Sequence, residues 1–566
     1  MMKKAYSILL ILCLLIGQSS CDQKETISKG SDGMVVTAHF LASEVGADIL
    51  KQGGNAFDAA VAVQFALAVV YPRAGNIAGG GFAVIRTADG KYNTLDFREK
   101  APLAAYENMY VDSSGNALTN LGQKGHLAVG VPGSVDGMCE LHKKYGSIQW
   151  EKLLQPAIDF AGNGIKLTEL EANKLNDYRE RILTQNSGKK EIRYVKDTLF
   201  LKGDILLQPE LKETLKRIQL DEREGFYGGK TAELLISEIQ NGNGIITNED
   251  LKNYKAVWRE ALVGKYRDCK IISMPPPSSG GIALIQLLKG AEKFELRNYG
   301  FASMEHFHIM TELERRVYAD RATWLGDPDF YDVPTSRLIS DVYLDERFSD
   351  ISIDKKSDSQ EIKAGEVNVI ESFETTHFSI ADKAGNAIAI TTTLNGNYGC
   401  KVVVDGAGFL LNNEMDDFSI KPGVPNQFGL VGGMANAIQP EKRMLSSMTP
   451  TIVEKDGELR MVLGTPGGST IITSVFQNII NAMEFEMTPQ ECVNAPRIHS
   501  QWLPDEIYIE PNAIDNVTRE RLEKMGHVII DMSKIGMMAN IFVQENGDVI
   551  GCADTIRHKD SKAIGY

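Results

Sequence analysis

The sequence contains few of the residues from which disulfide frameworks and metal centres are built. Its 566 residues include 7 cysteines and 9 histidines. Cys13 and Cys21 belong to an apolar N-terminal segment, and the other cysteines are widely scattered and odd in number. They therefore predict small buried residues and no disulfide framework. These scattered cysteines are Cys139, Cys269, Cys400, Cys492 and Cys552. His306 and His308 lie two positions apart on a predicted helix and point to different faces, so we predict no metal and no organic cofactor.

Positive charge is also scarce. The chain has 60 lysines and arginines against 75 aspartates and glutamates, a formal net charge of -15. An excess of acidic residues argues against nucleic acid as a partner. Beyond the N-terminus no segment is long and apolar enough to predict a transmembrane helix. The sequence also shows no internal repeat and no linker rich in proline and serine. A hydrophobic content of 43% is typical of a globular protein with a large core.

The N-terminus resembles a bacterial export signal. Lys3 and Lys4 form a basic start, and residues 8–16 form an apolar stretch too short to span a bilayer. Residues 1–20 are therefore predicted to be a signal peptide. Small residues precede Cys21, which indicates a lipoprotein with lipidated Cys21, although Gln18 is not the aliphatic residue that such sites usually carry. The alternative is cleavage nearby and a soluble exported protein. We expect a periplasmic or lipid-anchored location.

The hydrophobic pattern predicts alternating helices and strands and hence a layered α/β fold. The predicted helices are 42–50, 55–70, 282–289 and 304–324. The predicted strands are 81–87, 92–97, 402–404, 451–454, 460–463 and 528–531.

The segment 376–394 has the pattern of a β-hairpin, with turn residues in its middle. If the turn centres on Ala384, antiparallel pairing places Thr375 opposite Thr393. Cross-strand neighbours lie about 5 Å apart on one face of a sheet. The polar residues predicted on this face are Thr375, Thr391, Thr393 and Asn395. Core strands normally carry apolar side chains there, so the pattern indicates a functional site.

Such a face is suited to an N-terminal nucleophile. If the chain cleaves itself before Thr375, the new α-amine serves as general base for the hydroxyl of the same residue. An α-amine has a pKa of about 7.7 to 8.0 and needs only a small depression to be neutral at pH 7. The alternative is an ordinary hairpin in which threonine is present for its β propensity.

The segment 354–374, immediately before Thr375, is polar, mixed in charge and poor in aromatic residues. This composition predicts a mobile tail that leaves the site once the bond between Glu374 and Thr375 breaks. The alternative is a surface loop without a function.

Several ordered motifs resemble those of the γ-glutamyltransferase family. In the second half they are Thr375-Thr376-His377-Phe378-Ser379, Asn395, Leu411-Asn412-Asn413-Glu414-Met415-Asp416-Asp417-Phe418, Ser446-Ser447-Met448-Thr449-Pro450 and Gly464-Thr465-Pro466-Gly467-Gly468-Ser469. In the first half they are residues 53–60, 79–82, 96–102 and 277–281. The resemblance extends from about Thr37 to Tyr566. Each glycine motif is weak alone, but the ordered set is specific.

The resemblance implies a four-layer αββα sandwich of the N-terminal nucleophile hydrolase type. It also implies cleavage into a large subunit, residues 21–374, and a small catalytic subunit, residues 375–566, which remain associated as a heterodimer. The implied activity is that of a γ-glutamyltransferase and glutathione hydrolase. A γ-glutamyl ester on Thr375, formed from glutathione or from glutamine as a second donor, is transferred to water or to amino acids and peptides.

The resemblance also assigns roles to individual residues. Arg98, Ser446 and Ser447 would bind the substrate α-carboxylate, and Asn395, Glu414 and Asp417 would bind the α-ammonium group. Gly467 and Gly468 would offer backbone N–H groups to the oxyanion, and Thr393 would orient Thr375. From the residues alone, Arg98 could equally form a salt bridge with Glu99 or Asp96, and residues 412–417 could form a solvated acidic loop.

The loop 422–433, rich in proline and glycine, resembles a lid over the pocket. Its Phe428 stands where related lids often carry tyrosine, so it would shield the ester without hydrogen-bonding Asn395. Two rival enzyme functions are a cephalosporin acylase and a poly-γ-glutamate-processing enzyme. A third alternative is an uncleaved lipoprotein that binds peptides.

Overall fold

The computed structural model describes residues 27–189, 191–362, 375–421, 423–427 and 429–566. The predicted signal peptide, Cys21 and Phe428 lie outside these ranges, as does the part 363–374 of the predicted tail. Within the described ranges, none of the helices has the length and apolarity needed to cross a membrane.

The strands form two large sheets of seven strands each, and smaller sheets of three and two strands. In chain order the strands are β1 Ile27–Gly30, β2 Gly33–Thr37, β3 Gly80–Arg86, β4 Tyr92–Asp96, β5 Ile165–Lys166, β6 Ile205–Leu206, β7 Val257–Arg259, β8 Leu262–Tyr266, β9 Cys269–Ser273, β10 Thr376–Asp382, β11 Ala387–Thr393, β12 Thr451–Lys455, β13 Glu458–Leu463, β14 Ile498–His499, β15 Ile507–Ile509, β16 Ile529–Asp531, β17 Ala539–Val543, β18 Val549–Ala553 and β19 Lys562–Gly565.

The first large sheet has the order β19-β2-β10-β11-β3-β4-β7 and the second β1-β18-β17-β13-β12-β9-β8. All recorded pairs within these two sheets are antiparallel. In both sheets, strands from before residue 375 lie beside strands from after it. The two sides of the proposed cleavage point therefore share backbone hydrogen bonds.

Helices cover the outer faces of both sheets. In chain order they are α1 Phe40–Lys51, α2 Ala56–Val70, α3 Thr119–Gln123, α4 Ser134–Tyr145, α5 Trp150–Asn163, α6 Glu169–Gln185, α7 Pro209–Asp221, α8 Glu224–Tyr227, α9 Gly229–Asn241, α10 Asn248–Asn253, α11 Gly280–Ala291, α12 Leu296–Tyr299, α13 Met304–Trp324, α14 Thr335–Leu338, α15 Asp341–Arg347, α16 Thr470–Met483, α17 Pro489–Asn494 and α18 Asn516–Lys524. Short 3₁₀ helices occupy His126–Ala128, Glu414–Asp417 and Met434–Asn436.

Three apolar clusters fill the spaces between the layers. The first packs α1, α2 and their neighbouring helices on one sheet, the second packs α11, α13 and α16 on the other, and the third lies between the sheets. For example, Val84 of β3 and Ile452 of β12 both belong to the cluster between the sheets. Two facing sheets with a helical layer on each side are the predicted αββα sandwich, so this prediction is confirmed.

Most predicted elements are present, with small changes at their ends. The helix at 304–324 has the predicted limits, and α11 is longer than the predicted 282–289 because it begins at Gly280 and ends at Ala291. The predicted strand at 402–404 is wrong. Val403 forms an isolated bridge with Leu410, and the chain turns back at once through a bond from the Val404 N–H to the Phe409 carbonyl.

The described part of the predicted mobile tail, 354–362, is bound to the protein. Ser359 is buried, and its hydroxyl accepts a hydrogen bond of 2.5 Å from Arg315. The Trp502 indole donates to the carbonyls of Ser359 and Ile362 at 2.9 and 3.1 Å. The prediction of a mobile tail rested on the polar composition of this segment. In the structure, tryptophan and arginine from elsewhere in the chain bind its described part.

Candidate active site

The hairpin has the predicted register. Thr376 pairs with Thr392 and Ala381 with Ala387, so the next position outward places Thr375 opposite Thr393. Both threonines are buried, at 7% and 3% exposure, and both line one cavity. The turn is stabilised by Asp382, whose carboxylate accepts from the Ala384 and Asn386 N–H groups.

Alternation along the hairpin separates an apolar face from a polar one. Phe378 and Ile390 pack under the outer helices, whereas Ala381 and Ala389 face the other sheet. Since side chains alternate along a strand, Thr375 and Thr393 share the face of these alanines. On that face His377 Nδ1 lies 2.8 Å from Thr391 Oγ1 and Nε2 lies 3.1 Å from Ser379 Oγ. Burial lowers the pKa of His377 to about 3, so this histidine is neutral at physiological pH.

Two glycines let the neighbouring strand approach the end of the hairpin. Gly80 pairs with Thr393, and a Cβ on Gly79 would lie 1.9 Å from the Thr393 carbonyl oxygen. Asn395 follows with a φ of 72°, and its N–H donates to Thr393 Oγ1 at 2.7 Å. Its side-chain amide donates to the Asn413 carbonyl at 2.9 Å. This left-handed backbone turns the chain out of the strand at the cavity wall.

Arg98, directly after β4, is surrounded by carboxylates. Its Nη1 lies 2.6 Å from Glu414 Oε2 and 3.4 Å from Glu99 Oε2. Its Nη2 lies 2.5 Å from Asp417 Oδ2. The group predicted to bind a carboxylate and two groups predicted to bind an ammonium ion are therefore paired with each other. The salt bridge to Glu99, which the residues alone left open, is also present.

Burial and the neighbouring charges of opposite sign act in opposite directions on the pKa values of this ion cluster. It would lower the pKa of Arg98, but the charges of Glu414, Asp417 and Glu99 more than offset it and raise that pKa above its ordinary value. For the acids burial acts in the other direction, and the Arg98 charge only partly offsets it. The pKa of Glu99 rises to about 8, and the pKa values of Glu414 and Asp417 also rise. Burial thus favours the protonated form of each acid, and the charge of Arg98 opposes it.

The Ser446 and Ser447 hydroxyls line the cavity beside Arg98 and are positioned by backbone contacts. The loop before α11 supports them, because the Ser279 N–H and hydroxyl both donate to the Ser446 carbonyl, at 2.8 and 2.6 Å. Ser446 Oγ accepts from the Met448 N–H at 3.1 Å, and Ser447 Oγ accepts from Arg321 Nη2 at 3.1 Å. Since each hydroxyl oxygen already accepts, each O–H is left to donate, as binding of an anion requires.

Arg321 is a cavity residue that the sequence analysis missed. It comes from the last turn of α13, its Nε donates to Ser279 Oγ at 2.9 Å, and no carboxylate among the described residues lies within salt-bridge distance of it. Burial lowers its pKa to about 10. A helix that is buried on all sides and still carries arginine is the signal that could have identified it, since buried charges require partners.

Gly467 and Gly468 lie at the start of α16, as an oxyanion site would require. Their φ angles are 139° and 55°, and a Cβ on Gly467 would lie 2.5 Å from Thr470 Oγ1. Gly468, just before α16, and Ile471, in its first turn, line the cavity together with Thr375. The positive end of the helix dipole therefore lies at the cavity, where it favours negative charge.

The predicted lid loop covers the cavity. Leu430 lines it, and Asn426 Nδ2 donates to Asp417 Oδ1 at 3.0 Å. The Gln427 N–H donates to Asp416 Oδ2 at 2.8 Å, and burial raises the pKa of this aspartate to about 7. The enclosed volume is only about 20 Å³. The predicted role of Phe428 stays a prediction, because this residue lies outside the described ranges.

His306 and His308, for which no metal role was predicted, lie away from the cavity of Thr375. His306 is buried against Phe485, with ring centroids 4.8 Å apart, and burial lowers its pKa to about 3. His308 and His527, with Nδ1 and Nε2 2.9 Å apart, lie near Glu312 in a geometry that could accept a metal ion. Glu312 is already paired with Arg316 at 2.7 Å, and none of these residues lines the cavity of Thr375.

Comparison with solved structures defines the class of the fold. A cephalosporin acylase from Bacillus halodurans superposes with a TM-score of 0.83 over 97% of this chain and 98% of its own, at 24% identity. The two chains therefore share the same fold over nearly their whole lengths.

The family follows from similarity over the same length of chain. The family model for gamma-glutamyltranspeptidase matches residues 42–564. The glutathione hydrolase proenzyme of Escherichia coli (strain K12) is 44% identical over 95% of this chain and 92% of its own. A structure of Helicobacter pylori gamma-glutamyltranspeptidase is 46% identical, with a TM-score of 0.56 over 59% of this chain and 96% of that one. The chain therefore belongs to the γ-glutamyltranspeptidase family and is an enzyme.

Proposed function

We propose that this enzyme cleaves itself before Thr375 and then acts as a glutathione hydrolase and γ-glutamyltransferase. The observation that carries the proposal is the register of the β10–β11 hairpin. It places Thr375 opposite Thr393 in a small cavity that is also lined by two arginines, two carboxylates and two donating hydroxyls. The nucleophile, the groups that can bind an α-carboxylate and the groups that can bind an α-ammonium ion thus line one cavity.

Self-cleavage requires only the chain itself and water. The Thr375 hydroxyl attacks the carbonyl carbon of Glu374, the peptide C–N bond breaks, and an ester to Thr375 Oγ1 forms while the threonine amine is released. Water then hydrolyses the ester, leaving a carboxyl group on Glu374 and a free hydroxyl and α-amine on Thr375. The products are a large subunit ending at residue 374 and a small subunit of 375–566, associated as a heterodimer.

In each catalytic cycle the Thr375 amine takes the proton of its own hydroxyl as the oxygen attacks the γ-carbonyl of the donor. The tetrahedral oxyanion is stabilised by the Gly467 and Gly468 N–H groups and the positive end of α16. The proton passes to the leaving amine, and a γ-glutamyl ester stays on Thr375. Water or an acceptor amine resolves the ester by the reverse sequence.

Substrate recognition exchanges ion pairs. The donor α-carboxylate takes its place beside Arg98 and the hydroxyls of Ser446 and Ser447, and the α-ammonium group beside Asn395, Glu414 and Asp417. Without substrate, Arg98 pairs with Glu414 and Asp417 themselves. A zwitterionic amino acid inserted between them gives each charge a new partner. A glutaryl group, which lacks the ammonium ion, would leave the two acids without one, and this disfavours an acylase function.

Export is a separate proposal and depends on the N-terminal sequence alone. A signal peptide of residues 1–20 with a lipidated Cys21 would place the catalytic domain outside the cytoplasm, on a lipid anchor. Metabolic labelling with a palmitate analogue should label the wild type and not Cys21→Ala. Equal labelling of both would contradict lipidation at Cys21, and no label on the wild type would leave the soluble exported form.

Intact mass spectrometry tests the main proposal. Wild-type protein should give two fragments, the smaller beginning at Thr375, and Thr375→Ala should give one uncut chain. Thr375→Ser retains a hydroxyl and should still cleave, which separates the role of the oxygen from that of the side-chain shape. Uncut wild-type protein that releases no glutamate from glutathione would overturn the proposal.

A further inference from the structure

A second, larger cavity lies beside the lid. Its volume is about 720 Å³, within the range of about 300 to 1,000 Å³ that is common for ligand sites. It is lined by Thr119, Gln123, Lys124, Tyr178, Glu180, Arg181, Thr184, Gln185, Gly396, Asn397, Lys401 and Val424–Gln427. None of the catalytic or substrate-binding roles assigned above places a ligand in this cavity.

This cavity shares a thin wall with the cavity of Thr375. Asn395 lines the inner cavity and the next residue, Gly396, lines the outer one. Asn426 lines the outer cavity while its side chain donates to Asp417 of the inner one. Consecutive Cα atoms lie about 3.8 Å apart, so the wall is about one residue thick.

A peptide donor needs space beyond the inner cavity. The inner volume of about 20 Å³ leaves little room for the amine side of the scissile bond. A leaving dipeptide spans about 7 Å when extended, which is enough to cross a wall of one residue. Another large cavity, of about 1,090 Å³ and lined in part by Arg267 and Asn546, shares no lining residue with the inner cavity or the lid.

The outer cavity is positively charged although the whole chain carries a net charge of -15. Lys124, Arg181 and Lys401 line it against one acid, Glu180. That acid lies 2.5 Å from Arg179, which is not a lining residue. Among the described residues no carboxylate lies within salt-bridge distance of Lys124 or Arg181. Hydroxyl and amide side chains from Thr119, Gln123 and Thr184 add groups that can bond a peptide backbone.

We propose that this cavity binds the free C-terminal carboxylate of the peptide that leaves Thr375, and of the peptide acceptor that replaces it. The inference rests on the proposed function and extends it to a substrate class: γ-glutamyl peptides that end in a carboxylate, in preference to γ-glutamyl amides. Arg181 and Lys124 supply the positive charge, and the lid residues Asn426 and Gln427 form the wall past which the peptide extends.

The test compares donors that differ in one charge. Glutathione and its C-terminal glycinamide are assayed with the wild type, the double variant Arg181→Gln/Lys124→Gln and the control double variant Lys174→Gln/Lys216→Gln, with glutamate release as the readout. Lys174 on α6 and Lys216 on α7 do not line the cavity, and each is paired with an acid that does not line it either, so the control removes two positive charges outside the cavity. Exposed ion pairs are weak, so we expect the wild type to prefer glutathione over the amide by about 1.5- to 5-fold in kcat/KM.

The double variant should lose this preference, with a ratio near 1, while the control keeps it. Higher salt should reduce the wild-type preference, because exposed charges are screened. Equal ratios in the wild type and double variant would overturn the subsite. If the ratios are equal but the wild type releases glutamate from the amide, the proposed function still holds and only the subsite is wrong. No glutamate from either donor would instead count against the proposed function.

Discussion

Replacing Arg321 by methionine should weaken substrate binding and yet leave the protein at least as stable. The guanidinium donates to Ser447 and Ser279 and has no carboxylate partner among the described residues. Burial lowers its pKa to about 10, well below the ordinary value of an arginine. A tenfold change in an acid constant corresponds to about 1.4 kcal/mol, so holding this charge in the fold costs about 3 kcal/mol. A substrate carboxylate beside Ser447 offsets that cost.

The two effects of Arg321→Met follow from this balance. Loss of a hydrogen bond from a charged donor costs about 1.5 to 3 kcal/mol, so KM for glutathione should rise about 10- to 150-fold, with a smaller effect on kcat. The free energy of unfolding should stay constant or rise, because a charge without a partner is replaced by an apolar chain. Steady-state kinetics and urea denaturation measure the two quantities.

Arg316 on the same helix is the matched control. It is also buried but is paired with Glu312 at 2.7 Å, so Arg316→Met should lower the free energy of unfolding by about 3 to 5 kcal/mol. An unchanged KM in Arg321→Met, or a loss of stability as large as in Arg316→Met, would refute this reasoning.

Three further predictions concern other parts of the site. Gly467→Ala should lower kcat about 10²- to 10³-fold in assays of γ-glutamyl anilide hydrolysis, because a Cβ displaces the N–H groups of the oxyanion site, whereas Gly457→Ala in an open turn should not. Asp416 has a pKa raised by burial to about 7, so its contribution to stability is present below about pH 4 and is lost as pH rises to 7. In denaturation at pH 5 and pH 8, Asp416→Asn should lack this loss, and an identical pH dependence would contradict it. Trp502→Phe replaces the indole by a smaller aromatic ring without an N–H, leaves two buried carbonyls without a donor, and should lower the free energy of unfolding by at least about 1 to 3 kcal/mol in urea titrations. No change in midpoint would show that water replaces the indole.

The hairpin could be predicted from the sequence because the residues that determine it are close together in the chain. Turn residues and alternating side chains lie within twenty positions of one another, and they fix the register that brings Thr375 to Thr393. The contact of Arg98 with Asp417 spans 319 positions, and only resemblance brought these two residues together. No periodicity links such distant positions, and none predicted that they would pair with each other in the absence of substrate.

Two differences from prediction have the same physical origin. The run 402–404 is apolar and β-branched because it is buried under the outer helices, although it does not form a strand. The segment 354–362 looks mobile by composition, but its backbone carbonyls bond Trp502, more than a hundred positions away. Short apolar runs and polar segments both depend on distant partners that a local pattern does not contain.

The interleaved strands restrict when the chain can be cut. β2, from before residue 375, pairs with β10, and β3 pairs with β11, both from after it. Two polypeptides synthesised separately would each begin with unpaired strand edges, which tend to associate with the wrong partners. A single gene that encodes one continuous polypeptide avoids this, since every edge finds its neighbour before any bond is broken. For this architecture, a cut made after assembly leaves every strand edge already paired, whereas two halves made from independent genes would have to find these neighbours in solution.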